Sequence, residues 1–282
     1  MSARHVEFEI PSTVASDGAG VRIRRSIGLQ PSARVDPFLM LDEFGSDNPD
    51  DYIAGFPSHP HRGFETVTYM LDGEMLHEDH MGNQGLLVSG GAQWMTAGRG
   101  IIHSEMPRLR EGLMRGFQLW VNLPAKDKLR APWYRDLAPH DIPEFDLADG
   151  VRTRIIAGTM KVGEAAYEGA LLGIATDPLY ADVQLDGGAS ITLSLPAGHR
   201  GFVYVFEGSV AVAGRAVQRS AAAVLSEGTS LVLSSDTDGS RCLLVLGRPL
   251  GEPIAQYGPF VMNTRAELEE AVRDYQAGRL TA

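Results

Sequence analysis

His59-Pro60-His61 is one of two short stretches that decide the fold, and Ile102-His103-Ser104-Glu105 is the other. In an extended strand, side chains two positions apart point to the same face of the sheet. Each stretch should therefore project both of its metal-binding side chains from one face, and Pro60 helps to keep the backbone before it extended. Three imidazoles and a carboxylate that converge inside a β-barrel form a ligand set for a divalent transition metal. The pattern therefore predicts a metal-dependent catalyst.

The identity of the carboxylate ligand stays open at this level. Glu65 lies an even number of positions after His59, so strand alternation puts it on the same face as the two early histidines. The sequence thus offers two glutamates, Glu65 and Glu105, and only the fold can choose between them. His77 and His80 are further candidate ligands or hydrogen-bond donors, although a polar strand end is the favoured interpretation. The remaining histidines lack a partner at ligand spacing and are interpreted as structural: His5, His140 and His199.

Composition limits the function classes. The chain has 282 residues and a formal net charge of −11, and it has no long basic run, which argues against nucleic-acid binding. Cys242 is the single cysteine, so a disulfide within the chain is impossible, and its apolar surroundings predict a buried thiol in a reducing compartment. No signal-peptide apolar region and no membrane-spanning run occur, so we expect a cytoplasmic protein without membrane contact.

Short alternating segments separated by glycine and proline turns predict an all-β protein. The segment 124–149 is polar and proline-rich, and we interpret it as a crossover between two halves. His61-Arg62-Gly63-Phe64 is echoed by His199-Arg200-Gly201-Phe202, which suggests a duplicated antiparallel barrel or sandwich. Thr264 and Glu267 fit a helix capping box, so the C-terminus is predicted to be helical. The predicted strands are 4–10, 21–29, 35–44, 64–71, 74–78, 85–89, 92–96, 115–123, 151–157, 170–176, 181–185, 190–195, 201–206, 209–213, 221–226, 230–233 and 241–246.

Three longer motifs resemble those of the pirins, a branch of the cupin superfamily. They are FPSHPHRGFETV at 56–67, QWMTAGRGIIHSEMP at 93–107 and QYGPFVMNT at 256–264. The resemblance covers essentially the whole chain, and motifs of this length are highly specific.

The resemblance implies a bicupin: two antiparallel β-barrels (double-stranded β-helices) face to face, with a C-terminal helix. Residues 1–135 would form the metal-binding barrel and residues 136–282 a metal-free barrel that carries the helix. The implied ligands are His59, His61, His103 and Glu105, usually holding iron, whereas most cupins use a glutamate placed like Glu65. Fe(II) is the expected ion, but imidazole also suits Zn, Mn, Ni, Co and Cu.

Several pirins are similar to quercetin 2,3-dioxygenases, which open the central ring of a flavonol with O₂ and release carbon monoxide. The resemblance therefore implies a small aromatic substrate and O₂ as partners, and we expect a monomer. Glu105 would accept the proton of the flavonol hydroxyl as a general base. Two alternatives are kept: an iron-bearing regulatory or protein-binding pirin without catalysis, and a zinc-loaded cupin that acts as an isomerase or hydrolase.

Overall fold

The computed structural model describes residues 2–108 and 112–282, and its regular structure is almost entirely antiparallel β-sheet, as predicted. The strands that precede residue 140 are β1 Val6–Pro11, β2 Thr13–Asp17, β3 Val21–Arg25, β4 Phe38–Ser46, β5 Phe56–His61, β6 Phe64–Asp72, β7 Glu74–Asp79, β8 Gln84–Val88, β9 Ala92–Thr96, β10 Ile101–Pro107, β11 Met114–Asn122 and β12 Trp133–Leu137.

The strands that follow are β13 Glu144–Ala148, β14 Val151–Ala157, β15 Thr159–Val162, β16 Ala165–Glu168, β17 Leu179–Leu185, β18 Ser190–Ser194, β19 Arg200–Glu207, β20 Ser209–Val212, β21 Arg215–Gln218, β22 Ala221–Leu225, β23 Ser230–Ser235, β24 Ser240–Gly247, β25 Ala255–Tyr257 and β26 Phe260–Met262. The helices are α1 Arg265–Gln276 and three short 3₁₀ turns at Pro31–Ala33, Pro49–Asp51 and Ala125–Asp127.

The chain forms two compact units. The histidine unit, named for the two histidine stretches, contains Val14–Arg25, Leu39–Pro139 and Leu250–Ala282. The aliphatic unit contains the segment up to Thr13 together with Ser26–Phe38 and His140–Pro249.

The predicted domains, 1–135 and 136–282, are continuous, whereas the observed units are not: the segment up to Thr13 and Ser26–Phe38 lie in the aliphatic unit, and Leu250–Ala282 lies in the histidine unit. β1 lies in the aliphatic unit because it pairs along its length with β22. The helix α1, assigned above to the second half, lies in the histidine unit because its apolar face packs against Phe260, Leu280 and Ile102. Strand pairing and apolar contact, not position in the chain, determine this division.

Each unit has the two-sheet architecture of a cupin-type sandwich. In the histidine unit a seven-stranded sheet has the order β12-β9-β6-β11-β4-β3-β2, and a four-stranded sheet has the order β5-β10-β7-β8. In the aliphatic unit the orders are β1-β22-β19-β24-β17-β14-β13 and β16-β15-β18-β23-β20-β21. The hydrogen-bonded sheets are separate and open at their edges, so of the predicted barrel or sandwich each unit is the sandwich. A further ribbon consists of β25 and β26.

The predicted C-terminal helix is confirmed. Thr264 is its N-cap, and the reciprocal bonds of a capping box join Thr264 and Glu267. Ala271 is fully buried, and Leu268 and Val272 pack beside it, as the predicted apolar face requires.

The strand prediction needs correction in several places, and it omitted the short strands β2, β15, β16, β21, β25 and β26. Residues 170–176 are not a strand: Gly173 has a φ of 75° and the Leu172 side chain is 54% exposed, so the apolar run neither extends nor buries regularly. The polar crossover at 124–149 contains two strands, β12 and β13, each at the edge of a sheet. Edge strands are half solvated, which explains why their apolar pattern is weak.

Cys242 is free and buried in β24, as predicted, and burial raises the pKa of its thiol. Over residues 2–108 and 112–282, no helix has both the length and the apolar character needed to cross a membrane.

Candidate metal centre

The three predicted histidines meet inside the histidine unit. β5 and β10 are antiparallel neighbours, and their register places His103 directly opposite His59 and Ile101 opposite His61. The ring centroid of His103 lies 4.4 Å from that of His59 and 4.9 Å from that of His61. One ligand nitrogen from each ring lies within 4.8 Å of the other two, the one such set of three found across the described residues. The geometry therefore provides three nitrogen donors for a single ion.

The hydrogen bonds of these rings favour metal binding. His59 Nδ1 lies 2.8 Å from the carbonyl oxygen of Pro57, which can only accept, so Nδ1 carries the proton and Nε2 keeps its lone pair. His103 Nε2 and both ring nitrogens of His61 are buried without a hydrogen-bond partner. Buried polar atoms are rarely left unpaired in folded proteins. A cation bound among the rings would take the lone pair of His103 Nε2 and that of the unprotonated nitrogen of His61, so the donor set fits a divalent transition metal.

The surroundings also keep two of the rings neutral. Burial lowers the pKa of His61 well below its usual value, and the neighbouring His59 lowers it further, while the Pro259 carbonyl acts in the opposite direction. Burial likewise lowers the pKa of His103, with additional contributions from His61, His59 and His77. Neutral imidazole is the form that binds metal, so protons do not compete for these sites near neutral pH.

His77 belongs to the site, although the sequence favoured a polar strand end. Its side chain is 1% exposed, and its Nδ1 lies 3.3 Å from Nδ1 of His103. If His103 binds a metal through Nε2, its Nδ1 must donate to His77. Such a partner fixes the tautomer and orientation of a ligand histidine. The signal was present in the sequence, because His77 is two positions from the buried Met75 in β7; His80, by contrast, is exposed.

Glu105 shares the buried face of β10 with His103, as the alternation predicted. It is not among the three grouped ligands. Thr68 Oγ1 lies 2.8 Å from Glu105 Oε1, and Gln118 Nε2 donates to Oε2 at 3.1 Å. The register between β10 and β5 shifts after His103, so that Glu105 lies opposite Phe56. The structure therefore holds this carboxylate beside the histidines through the larger sheet, and its role as a fourth ligand stays a prediction.

Glu65 does not share the face of the early histidines, contrary to the strand-alternation argument. Gly63 separates β5 from β6 with a φ of 89°, and the alternation does not continue through this turn. Phe64 is the residue whose ring contacts His61, at 5.1 Å between centroids, while Glu65 accepts a hydrogen bond from Thr96 at 2.6 Å. Burial raises the pKa of Glu65 to about 7, and the Thr96 bond partly opposes the rise.

Aromatic side chains line one side of the histidine cluster. Trp120 lies edge-on to His61, at 5.4 Å between centroids, and packs against Phe64 at 4.3 Å. Trp120 and Gln118 alternate on the same face of β11 and are both half-buried. Trp120 and Phe64 form an apolar wall beside the cluster, and this wall is partly accessible at Trp120.

The three histidines interpreted as structural lie elsewhere in the fold. His5 pairs with Ser226, with 3.0 Å between Nδ1 and Oγ. His140 is 85% exposed, and His199 is buried against the Asp177 carbonyl at 2.9 Å.

Comparison with known proteins agrees with the fold and the motifs. The family model described as "Pirin" matches residues 20–121, and the model described as "Pirin C-terminal cupin domain" matches residues 180–281. A Pseudomonas aeruginosa protein named "Putative quercetin 2,3-dioxygenase" is 58% identical over 269 residues, covering 94% of each chain. Human pirin is 42% identical over 281 residues, covering 98% of this chain and 93% of its own.

A solved structure has the same architecture. The crystal structure of a quercetin 2,3-dioxygenase from Acinetobacter baumannii is 34% identical, with a TM-score of 0.91 over 100% of this chain and 99% of that one. Its similarity therefore extends over both units.

Proposed function

The chain belongs to the pirin family, and from this premise we propose that it is a metal-dependent dioxygenase that opens the central ring of a flavonol such as quercetin. The observation that carries the proposal is the convergence of His59, His61 and His103, of which His61 and His103 have buried ring nitrogens without a hydrogen-bond partner. The names of similar proteins supply the substrate class, and the site supplies the chemistry.

We assign the three histidines as ligands and His77 as the partner that orients His103. A divalent metal bound here, Fe(II) by expectation, would supply Lewis acidity that lowers the pKa of a bound hydroxyl group. Because the rings of His61 and His103 are buried and neutral, they would lower the charge of such an ion very little.

Glu105 is the proposed general base. Its carboxylate is held beside His103 by Thr68 and Gln118, so it is oriented before substrate arrives. In this position it would accept the proton of the flavonol 3-hydroxyl group and leave an electron-rich enolate that reacts with O₂. Both atoms of O₂ enter the product and one carbon leaves as carbon monoxide, so the reaction requires no external reductant.

The aromatic wall suits a flat substrate. The partly accessible face of Trp120, beside Phe64 and His61, offers a surface on which an aromatic ring can stack. Stacked or edge-on aromatic contacts stabilise such complexes by about 0.5–1.5 kcal/mol beyond area burial. The wall would thus orient the flavonol and exclude water from the reacting carbon atoms.

Oxygen uptake tests the proposal. Metal-loaded and chelator-stripped protein would be mixed with quercetin, and O₂ consumption and carbon monoxide release would be recorded together. We expect equimolar uptake and release that scale with metal content. Fully metal-loaded protein that consumes no O₂ would refute the dioxygenase and favour a metal-binding pirin without catalysis.

A further inference from the structure

The two segments that carry the metal-binding histidines contact a part of the chain that is distant from them in sequence. We propose that residues 259–280, here called the clasp, position His61 and His103 for metal binding, and that Arg62 is the positioning residue through which the clasp acts. The inference rests on the metal site of the proposed function but not on the identity of the substrate.

Arg62 directly follows His61, and its side chain is 8% exposed. Its guanidinium group donates to Asp274 Oδ2 at 2.9 Å, to the Leu280 carbonyl at 3.1 Å and to the Arg99 carbonyl. One side chain thus joins the helix α1, the end of the clasp and the loop that leads to His103. A planar guanidinium with five donors suits such a junction, because its fork has a fixed geometry.

Backbone contacts tie the first histidine segment to the clasp. The Val261 N–H donates to the Arg62 carbonyl at 3.0 Å, and Arg62 and Phe260 form an isolated parallel bridge. A Cβ atom at Gly63 would lie 2.0 Å from the Val261 carbonyl oxygen. Only glycine allows this approach, so the turn after His61 is shaped to fit the clasp.

The segment that contains His103 also packs against the clasp. A Cβ atom at Gly100 would lie 2.2 Å from the Leu280 carbonyl oxygen, so this backbone also passes directly against the clasp. Ile102, the residue before His103, packs with Phe260, Ala271 and Leu280. Since alternate residues of β10 point in opposite directions, Ile102 faces the clasp while His103 faces the metal site.

The ion pair between Arg62 and Asp274 is the contact in this arrangement that a single substitution can test. Asp274 is 23% exposed, whereas Arg62 is buried, so removing the carboxylate leaves a buried cation short of a partner. The backbone beside His61 would then relax, and the ligands would lose part of their alignment. A metal site whose supporting contacts are loosened binds metal less tightly, by roughly tenfold to a hundredfold for residues that contact ligands directly.

The experiment uses full-length Asp274→Ala, Asp274→Asn and Glu269→Ala proteins. Glu269→Ala is the matched control, because Glu269 pairs with Arg265 at 2.9 Å on the exposed side of the same helix. Co(II) would be titrated into each metal-free protein, with the dissociation constant and visible spectrum recorded under conditions where circular dichroism shows native protein. Urea unfolding of the metal-free proteins reports global stability separately.

We expect Asp274→Ala to weaken Co(II) binding about tenfold and to alter the spectrum, since it acts one step further from the ligands than a direct partner. Asp274→Asn, which keeps an acceptor oxygen, should recover part of the affinity, and Glu269→Ala should match the parent. Parental affinity and spectrum in Asp274→Ala, or an equal loss in Glu269→Ala, would overturn the clasp. A parent protein that binds no Co(II) would instead refute the metal site itself, and the clasp with it.

Discussion

The four-stranded sheet of the histidine unit has the same strand order as four strands of the six-stranded sheet in the aliphatic unit, but the side chains that face inward differ. β5-β10-β7-β8 corresponds to β18-β23-β20-β21. His103 lies opposite His59 in the first, and Leu233 lies opposite Ile191 in the second. The inward residues of the second sheet are aliphatic and at most 4% exposed, and they join a continuous apolar core: Ile191, Leu193, Val210, Val212, Leu231 and Leu233.

The difference shows that the strand arrangement alone does not determine which side chains face the interior of the sheet. One arrangement of strands surrounds three imidazoles in the histidine unit and a packed hydrocarbon core in the other. The shared tetrapeptide does not alter this: His199 is buried against the Asp177 carbonyl, whereas His61 has no such partner. Chemistry depends on a few side chains placed on a common scaffold.

The largest expected effect comes from removing a ligand in one unit and its counterpart in the other. His103→Ala should abolish metal binding, because two imidazoles cannot hold the ion tightly. Leu233→Ala should keep the metal but lower the free energy of unfolding by about 2–5 kcal/mol through cavity formation. Elemental analysis and urea unfolding distinguish the two outcomes. A full metal complement in His103→Ala would exclude this residue as a ligand.

A smaller effect is expected from the carboxylate beside the histidines. Glu105→Gln should keep metal but lower ring-opening turnover by roughly 10²–10⁴, because an amide cannot accept the hydroxyl proton. Glu65→Gln is the matched control, since Glu65 is buried on the other face of the larger sheet, and its turnover should stay close to the parent value. Equal turnover by Glu105→Gln and the parent would refute the base role.

His77 tests whether the metal centre extends beyond its ligands. His77→Phe removes the acceptor for His103 Nδ1 and should weaken metal binding by roughly 10–100-fold, as judged by titration of metal-free protein. His77→Gln keeps a polar acceptor and should lose less. His140→Gln is the control, because His140 is 85% exposed and lies elsewhere in the fold. Unchanged affinity in His77→Phe would show that His103 needs no such partner.

The smallest expected effect concerns buried carboxylates, whose hydrogen-bond partners differ between the two units. Asp182 in the aliphatic unit is paired with Arg241 through bonds of 2.9 and 2.6 Å, whereas Glu65 in the histidine unit is bonded by Thr96. The folded pKa of Glu65, about 7, lies above its ordinary value of 4.5, so the folded state binds the extra proton between these values. Stability from this residue is therefore present at low pH and lost as pH rises toward 7.

Between about pH 5.5 and about pH 7.5, the parent should lose about 2 kcal/mol of unfolding free energy that Glu65→Gln does not lose. Urea unfolding at the two pH values measures both proteins. Identical pH slopes in parent and variant would show that Glu65 titrates normally.

The sequence predicted the parts of this molecule that depend on local alternation. Spacing of two predicted that His59 and His61 share one face of β5, and the structure brings their rings together with that of His103, while the capping box predicted the helix. The predicted face of Glu65 is wrong, because a positive φ at Gly63 ends the strand alternation on which that prediction depended. His77 was underrated because, although its spacing from Met75 puts it on the buried face of β7, its partner His103 lies on another strand, β10.

The clasp could not be foreseen for the same physical reason. In the sequence, Arg62 has no feature that distinguishes it from other charged residues. Its three acceptors come from residues 99, 274 and 280, and only the fold brings them together. Contacts between residues so distant in the chain have no local pattern. Only the folded backbone brings the C-terminal helix against the segments that carry His61 and His103.

Anomalous X-ray diffraction from crystals of the metal-loaded protein tests the central claim most directly, because it locates the ion without reference to activity. We predict one strong peak, within bonding distance of ring nitrogens of His59, His61 and His103, and none among Ile191, Leu193 and Leu233. No peak among the three rings, or a peak held by other side chains, would contradict the assignment of the metal centre to the histidine unit.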